Sequence, residues 1–189
     1  MTGEAGRTYK SEGVVLKRIN FGEADKIITV FSKHYGKIAL LAKGIRRLTS
    51  KKRGDLELFN QVTFFARKGK GIDIVTETEL LDSFSPWKKD LQKIAIAYQI
   101  CEMVDKLTVE GNEQEEVYDL LVTYFKAITV TEQNGLTILV NSFGVNILKD
   151  LGFLPKNKVL PQNFNVTAYI EDIIEKELKS KKFAGKVRS

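Results

Sequence analysis

The sequence predicts an α+β fold, in which a five-stranded β-barrel is followed by an all-α helical bundle. Five short β-branched runs lie within the first 82 residues, whereas apolar residues after Pro86 recur at helical spacing. The charge pattern changes as well. Residues 1–82 hold 16 Lys+Arg and 10 Asp+Glu, residues 83–155 hold 6 and 10, and residues 156–189 hold 8 and 4. This pattern favours two domains with different roles, which we place at residues 1–82 and 83–189.

The barrel is predicted from five strands joined by turn residues, namely residues 13–19, 26–31, 37–43, 61–67 and 72–80. Gly36 supplies a turn position between the second and third strands, and most of the fifth strand alternates with a period of two. An SH3-like barrel would also have about five strands. The long connection over residues 44–60 favours an OB-fold instead.

The helical half is predicted to begin with Ser85 as the N-cap and Pro86 at the first helical position. Apolar residues then follow one helix face until Gly111 and Asn112 interrupt the pattern. Three further helices are predicted over about residues 113–128, 136–151 and 167–182, with a basic chain end after the last. These helices predict a small bundle.

Two rare residue types limit the chemistry that the chain can perform. Cys101 is the only cysteine and His34 the only histidine, so neither an internal disulfide nor a zinc site with four nitrogen or sulfur ligands is predicted. His34 lies in a turn with no nucleophile to pair with, and Cys101 lies on an apolar helix face. We therefore expect no enzyme activity, no cofactor and no metal.

Hydropathy gives no sign of a membrane segment. The sequence has no run of 18 apolar residues, and its polar N-terminus lacks the apolar stretch of a signal peptide. A cytoplasmic protein without a membrane partner is expected.

Residues 43–53 form the most basic segment of the chain and contain no acid. Gly44 opens the segment and few apolar residues anchor it, which predicts a loop leaving the third strand. Such a loop can follow a phosphate backbone, because each cation releases counterions condensed on a nucleic acid. A solvated charge run is the alternative. The basic residues of the segment are Lys43, Arg46, Arg47, Lys51, Lys52 and Arg53.

Further basic residues fall where an OB-fold presents nucleic acid, on the second and third strands and in the loops that join neighbouring strands. They are Lys17, Arg18, Lys26, Lys37, Lys68 and Lys70. Bases also stack on aromatic side chains, and Phe21 and Tyr35 lie in turns where they could serve this purpose. Together these residues predict a surface that binds nucleic acid.

Eight short motifs follow one another over residues 12–84. They are Gly13–Leu16, Gly22–Asp25, Ile27–Phe31, Gly36–Lys37, Ala42–Arg47, Leu56–Phe59, Gly69–Gly71 and Glu79–Phe84. No single motif is specific, but their order and spacing resemble the N-terminal domain of the RecO family. The resemblance continues more weakly through the helices to Leu151–Pro155.

The resemblance implies a DNA repair protein with an OB-fold and a helical domain. Such proteins bind single- and double-stranded DNA, anneal complementary strands, and work with RecR and single-strand-binding protein to load the RecA recombinase. The DNA-binding surface of the family maps here to Lys43, Arg46, Arg47 and their neighbours, and the pocket for the acidic tail of single-strand-binding protein maps to the helical domain. Many members carry a four-cysteine zinc module after the segment matching Gly152–Pro155, whereas this chain has no cysteine there. A zinc-free member is therefore expected.

Two other functions stay open from the residues alone. One is an OB-fold module that binds RNA or single-stranded DNA without annealing strands. The other is a protein-interaction adaptor, in which the acidic helical domain docks a partner and the basic segment serves only solubility.

Overall fold

A computed structural model describes residues 8–157, 159–161 and 164–180 of the chain. These residues fall into two units. The first comprises the residues up to Ser83 together with Glu110–Tyr118, and the second comprises Phe84–Val109 and the residues from Asp119 onward. The first unit therefore takes a short piece of chain from within the helical half of the sequence.

The first unit is built around a closed five-stranded barrel. Its strands are β1 (Thr8–Phe21), β2 (Asp25–Ser32), β3 (Gly36–Ala42), β4 (Gln61–Arg67) and β5 (Asp73–Asp82). They follow the order β1-β2-β3-β5-β4, and β1 also pairs with β4 to close the barrel. Only the contact between β3 and β5 is parallel. This arrangement confirms the predicted fold class, an OB-fold-like barrel followed by helices.

Strand β1 is longer than the sequence predicts because it serves two neighbours. Its 14 residues pair with β4 from Thr8 to Val14 and with β2 from Gly13 to Phe21. The register with β2 shifts between Val15 and Lys17, and such a bulge bends a strand and increases its twist. The inward side chains of all five strands form one apolar core that includes Val15, Ile28, Val30, Leu40, Val62, Phe64 and Val75.

The connection from β3 to β4 is anchored more firmly than the sequence predicts. It contains a short helix, α1 (Lys52–Asp55), where only a loop is expected. Ile45 and Leu56, on either side of the basic residues, are 1% and 0% exposed and belong to the barrel core. Burying an aliphatic side chain of this size contributes about 1.5–3 kcal/mol, so two such anchors hold the connection in place. The predicted loop leaving the third strand is confirmed over residues 43–51, whereas the short helix and the burial of Ile45 are not expected from the sequence.

The segment Glu110–Tyr118 packs on the barrel of the first unit through backbone and side-chain hydrogen bonds. The backbone N–H of Gly111 donates to the carbonyl of Lys37 at 2.9 Å. The Tyr118 hydroxyl accepts from Gln61 Nε2 at 2.9 Å and donates to Glu12 Oε2 at 3.2 Å. This segment is thus bonded to three strands of the barrel, β1, β3 and β4.

The second unit is helical. Its elements are a 3₁₀ turn (Ser85–Trp87), α2 (Leu91–Leu107), α3 (Glu115–Val130, whose first residues belong to the first unit), a 3₁₀ turn (Gln133–Gly135), α4 (Leu136–Asp150) and α5 (Val166–Ile174). The Trp87 ring packs edge-on against Phe125 at 5.7 Å, and α4 contacts both α2 and α5. Among the described residues, no helix has the length and apolar character needed to cross a membrane.

Two helix boundaries differ from those that the sequence predicts. Ser85 and Pro86 begin a 3₁₀ turn, whereas α2 starts at Leu91, because the carboxylate of Asp90 accepts from the N–H groups of Gln92 and Lys93. Helix α5 ends at Ile174 instead of residue 182, and Glu175 follows in the left-handed conformation that commonly ends helices. The predicted basic chain end, residues 181–189, lies outside the described residues.

The thiol of Cys101 is expected to be unreactive in the folded protein. Cys101 lies on the inner face of α2 and is 3% exposed, and burial together with the nearby Asp105 raises the pKa of its thiol. Since the thiolate is the reactive form, a disulfide reagent at pH 8 should label the native chain far more slowly than the chain in denaturant. Labelling at equal rates would contradict the packing of α2 described above.

Candidate nucleic-acid interface

Four of the predicted cations meet at one cavity of the barrel, which we call the basic pocket. Residues 18 and 20 of β1 stand beside β2, where Asn20 pairs with Lys26. The connection from β3 to β4 forms the other wall. The cavity measures about 250 Å³ and is lined by Arg18, Asn20, Lys26, Ile45, Arg46 and Arg53. Residues far apart in sequence thus place their positive charge at one site.

Hydrogen bonds hold the connection against the turn between β1 and β2 and against the first residue of β2. The N–H of Gly44 donates to Asp25 Oδ1 at 2.7 Å, and the N–H of Arg46 donates to the carbonyl of Ala24 at 2.9 Å. The guanidinium of Arg46 also donates to the Gly22 carbonyl at 3.3 Å. Arg46 is therefore fixed at the mouth of the pocket by its own backbone and by the buried Ile45 beside it.

The pocket is electrostatically crowded. Burial and the neighbouring Arg18 lower the pKa of Lys26, and Arg46 and Arg53 act in the same direction, whereas Glu57 opposes them. Glu57 forms an ion pair with Nη1 of Arg18. Mutual repulsion among cations is what an anionic ligand would relieve. The sequence gives no sign that Glu57 or Asn20 is part of the site, since neither belongs to a basic run.

Most of the remaining predicted cations lie at the surface. Lys17, Lys43, Arg47, Lys51, Lys68 and Lys70 are exposed. The other two placements limit what a ligand could reach.

Lys52 is half-buried and donates to the carbonyl of Val75 at 3.2 Å, and burial lowers its pKa. Lys37 is only 8% exposed at the start of β3. A lysine that is covered to this extent offers little surface to a phosphate. We therefore leave Lys37 out of the candidate interface.

The two aromatic candidates lie at opposite ends of β2. Phe21 is 52% exposed and is the last residue of β1 before the turn to β2. Tyr35 follows the other end of this 8-residue strand, roughly 23 Å away at 3.3 Å per residue. Its ring lies 4.6 Å from that of Tyr9, which also carries the ammonium of Lys68 at 4.9 Å. Phe21 thus follows the lining residue Asn20 in β1, whereas Tyr35 lies beyond the far end of β2.

Asp73 organises the loop between β4 and β5. Its carboxylate accepts from Lys68 Nζ at 2.8 Å, from the Tyr9 hydroxyl at 2.7 Å and from the Gly69 N–H at 3.2 Å. Burial alone would raise the pKa of Asp73, but these donors outweigh it and lower the pKa below the ordinary value of 3.8. Lys68 is thus engaged in an ion pair at the surface where the sequence predicts a nucleic-acid contact.

Replacing Asp73 with asparagine is expected to lower the free energy of unfolding by about 2 kcal/mol at neutral pH, because hydrogen bonds to a charged group are lost. A lowered pKa in the folded state stabilises the protein above the unfolded-state pKa, and this contribution disappears as the pH falls through the folded-state pKa. Urea unfolding at neutral pH and near pH 2 checks the prediction. If the free energies of unfolding of variant and parent differed by the same amount at both pH values, the prediction would be contradicted. Glu79→Gln, at an exposed position of β5, serves as the control.

One cluster of His34, Glu113 and Glu115 brings three potential metal ligands together within the described part of the first unit. All three side chains are exposed. Lys33 Nζ lies 3.2 Å from Glu115 Oε1, and His34 Nδ1 lies 3.7 Å from Glu113 Oε1. The Lys33–Glu115 ion pair and the His34–Glu113 contact, both between the β2–β3 turn and the Glu110–Tyr118 segment, account for the cluster.

Comparisons with known proteins identify the family of both halves of the chain. Residues 7–84 match the family described as Recombination protein O N terminal, and residues 88–157 match Recombination protein O C terminal. A protein of Pelotomaculum thermopropionicum is 30% identical over 149 residues, which are 79% of this chain and 57% of that protein. One of Acetivibrio thermocellus is 32% identical over 146 residues, which are 77% and 58%. Both are named DNA repair protein RecO, and this chain spans a little over half of their length.

Proposed function

This chain belongs to the RecO family of DNA repair proteins, and from that premise we propose that it binds single- and double-stranded DNA and anneals complementary strands. The observation that carries the proposal is the basic pocket, where Arg18, Lys26, Arg46 and Arg53 line one cavity. Exposed cations from the same connection extend this positive surface. A phosphate backbone is the polyanion that such a surface attracts, through release of its condensed counterions.

The proposed mechanism is electrostatic and needs no turnover of a bond. Two DNA strands repel each other through their phosphates, and a cationic surface that neutralises both at once lowers that repulsion. Base pairing between the strands then completes annealing. Phe21, which is exposed at the end of β1, offers a ring on which an unpaired base can stack.

The proposed partners are those that the resemblance to the RecO family implies. We infer that the chain acts with RecR and single-strand-binding protein to assist the loading of RecA in gap repair. We place the contact with the acidic tail of single-strand-binding protein in the helical unit and the DNA contact on the barrel. A cytoplasmic site of action fits these partners.

Strand annealing across a salt series tests the proposal. We expect the chain to accelerate annealing of complementary oligonucleotides, and we expect the affinity for single strands to fall with a logarithmic slope of about −0.7 per phosphate contact. Adding single-strand-binding protein shows whether annealing proceeds on covered strands. Binding of RNA or single strands without annealing would instead indicate a simple binding module, and capture of protein partners without any affinity for nucleic acid would indicate an adaptor.

A further inference from the structure

Glu57 occupies a position at the basic pocket that an anionic ligand would take. Its carboxylate pairs with Nη1 of Arg18, one of the cations that line the cavity. The Arg18 side chain is 12% exposed, whereas that of Glu57 is 49% exposed. The pair therefore joins a nearly buried guanidinium to an acid that can turn into solvent.

Arg18 offers more hydrogen-bonding capacity than Glu57 uses. Its Nε is buried and has no hydrogen-bond partner among the described residues. Roughly 90% or more of buried polar groups in proteins find a partner, so an unpaired buried donor calls for an explanation. A guanidinium binds phosphate through two parallel N–H groups, and the pair that includes Nε uses Nη2, next to the Nη1 that Glu57 holds.

The charge of the cavity suits an anion better than a neutral base. Lys26, Arg46 and Arg53 line it together with Arg18. Burial and the neighbouring positive charges lower the pKa of Lys26. Four cations around a cavity of about 250 Å³ therefore point to a phosphate group.

We propose that the basic pocket is a subsite for a single backbone phosphate and that Glu57 is its internal competitor, leaving Arg18 when the phosphate enters. The inference rests on the proposed DNA binding and adds that the Glu57 carboxylate controls the access of phosphate to Arg18. Leu56 and Phe59 are 0% and 4% exposed, so they hold the backbone on both sides of Glu57. Exchange of carboxylate for phosphate then requires only a rotation of the Glu57 side chain.

The first test compares DNA affinities of the full chain, Glu57→Gln and Glu23→Gln by fluorescence anisotropy at low salt. Glu23 is an exposed acid of the turn between β1 and β2, so its replacement changes the net charge equally. We expect Glu57→Gln to tighten binding about two- to tenfold, the range that a partly exposed ion pair supports, and Glu23→Gln to have a smaller effect. Equal effects of the two replacements would overturn the proposal, since they would reflect net charge alone.

The second test uses inorganic phosphate and does not depend on DNA. We expect phosphate to shift the Nε–H resonance of Arg18 in NMR spectra, and to do so at lower concentration in Glu57→Gln than in the parent. A shift without any DNA binding would leave the phosphate subsite standing and reject the proposed function. DNA binding by the parent and by Glu57→Gln with equal affinity, and no phosphate shift in either, would keep the proposed function and reject the subsite.

Discussion

Replacing Arg46, Arg47, Lys51 and Arg53 together with glutamine is expected to weaken binding of single-stranded DNA roughly 10²–10³-fold at 0.1 M salt. Each phosphate contact contributes about 0.7 to the logarithmic salt slope, so the loss of four contacts should also reduce the slope by about 3. All four side chains are exposed on the connection from β3 to β4. Anisotropy titrations at several salt concentrations measure both quantities.

The choice of residues follows from their contacts. Lys52 is left in place because its ammonium donates to the Val75 carbonyl, so its loss would disturb the barrel as well as the surface. Arg18 is left in place because its side chain is only 12% exposed, so its loss would disturb the packing of the barrel. The matched control removes the same number of charges from exposed lysines of the second unit, Lys89, Lys106, Lys126 and Lys156.

The comparison separates a local interface from a general charge effect. We expect the control variant to lose far less affinity and to keep a slope close to that of the parent. Equal losses in the two variants would show that DNA binds through net charge, and the candidate interface would then be wrong. A circular dichroism spectrum matching the parent confirms that the barrel variant is folded.

Replacing Gly36 with alanine is expected to lower the free energy of unfolding of the first unit by about 2–5 kcal/mol. Gly36 has a φ of 59°, a left-handed conformation that costs other residues roughly 1–2 kcal/mol. A Cβ at this position would also lie 1.8 Å from the carbonyl oxygen of Asn112. That atom is backbone, so relief requires the Glu110–Tyr118 segment to shift away from the barrel.

Gly22→Ala is the matched control, because Gly22 has a similar φ of 57° but no atom within 4 Å of an added Cβ. It isolates the backbone strain, and we expect a loss of about 1–2 kcal/mol. Urea unfolding gives the free energies, and hydrogen exchange of barrel amides assigns the loss to the first unit. If the two alanines cost the same, the close contact between Gly36 and Asn112 would be ruled out.

The barrel was predictable from the sequence because its signals are local. Runs of β-branched residues bounded by glycines mark the strands, and the long connection between the third and fourth strands distinguishes the two candidate barrels. The longer reach of β1 was not predictable, since it depends on pairing with β4, which follows it by about 50 residues. Pairing between distant strands leaves no local pattern in a single sequence.

The site was only partly predictable for a related reason. Charge density identified the basic connection, but composition does not tell which lysines the fold covers. Lys37 is buried at the start of β3, where the Gly111 N–H donates to its carbonyl. The residues next to Lys37 in the sequence do not predict that contact. The sequence does not identify Glu57 as a site residue, because its role depends on the ion pair with Arg18, which lies 39 residues earlier in the chain.

The place of residues 110–118 in the first unit has a consequence for the order of events during synthesis. Once the ribosome has added Ser83, all five strands have been synthesised, but the Glu110–Tyr118 segment that hydrogen-bonds to β1, β3 and β4 has not. At 5–20 residues per second, the segment follows roughly two to seven seconds later. During this interval, the native hydrogen-bond partners of Glu12, Gln61 and the Lys37 carbonyl, which are Tyr118 and Gly111, have not yet been synthesised. Chaperones and proteases would meet the chain in that interval.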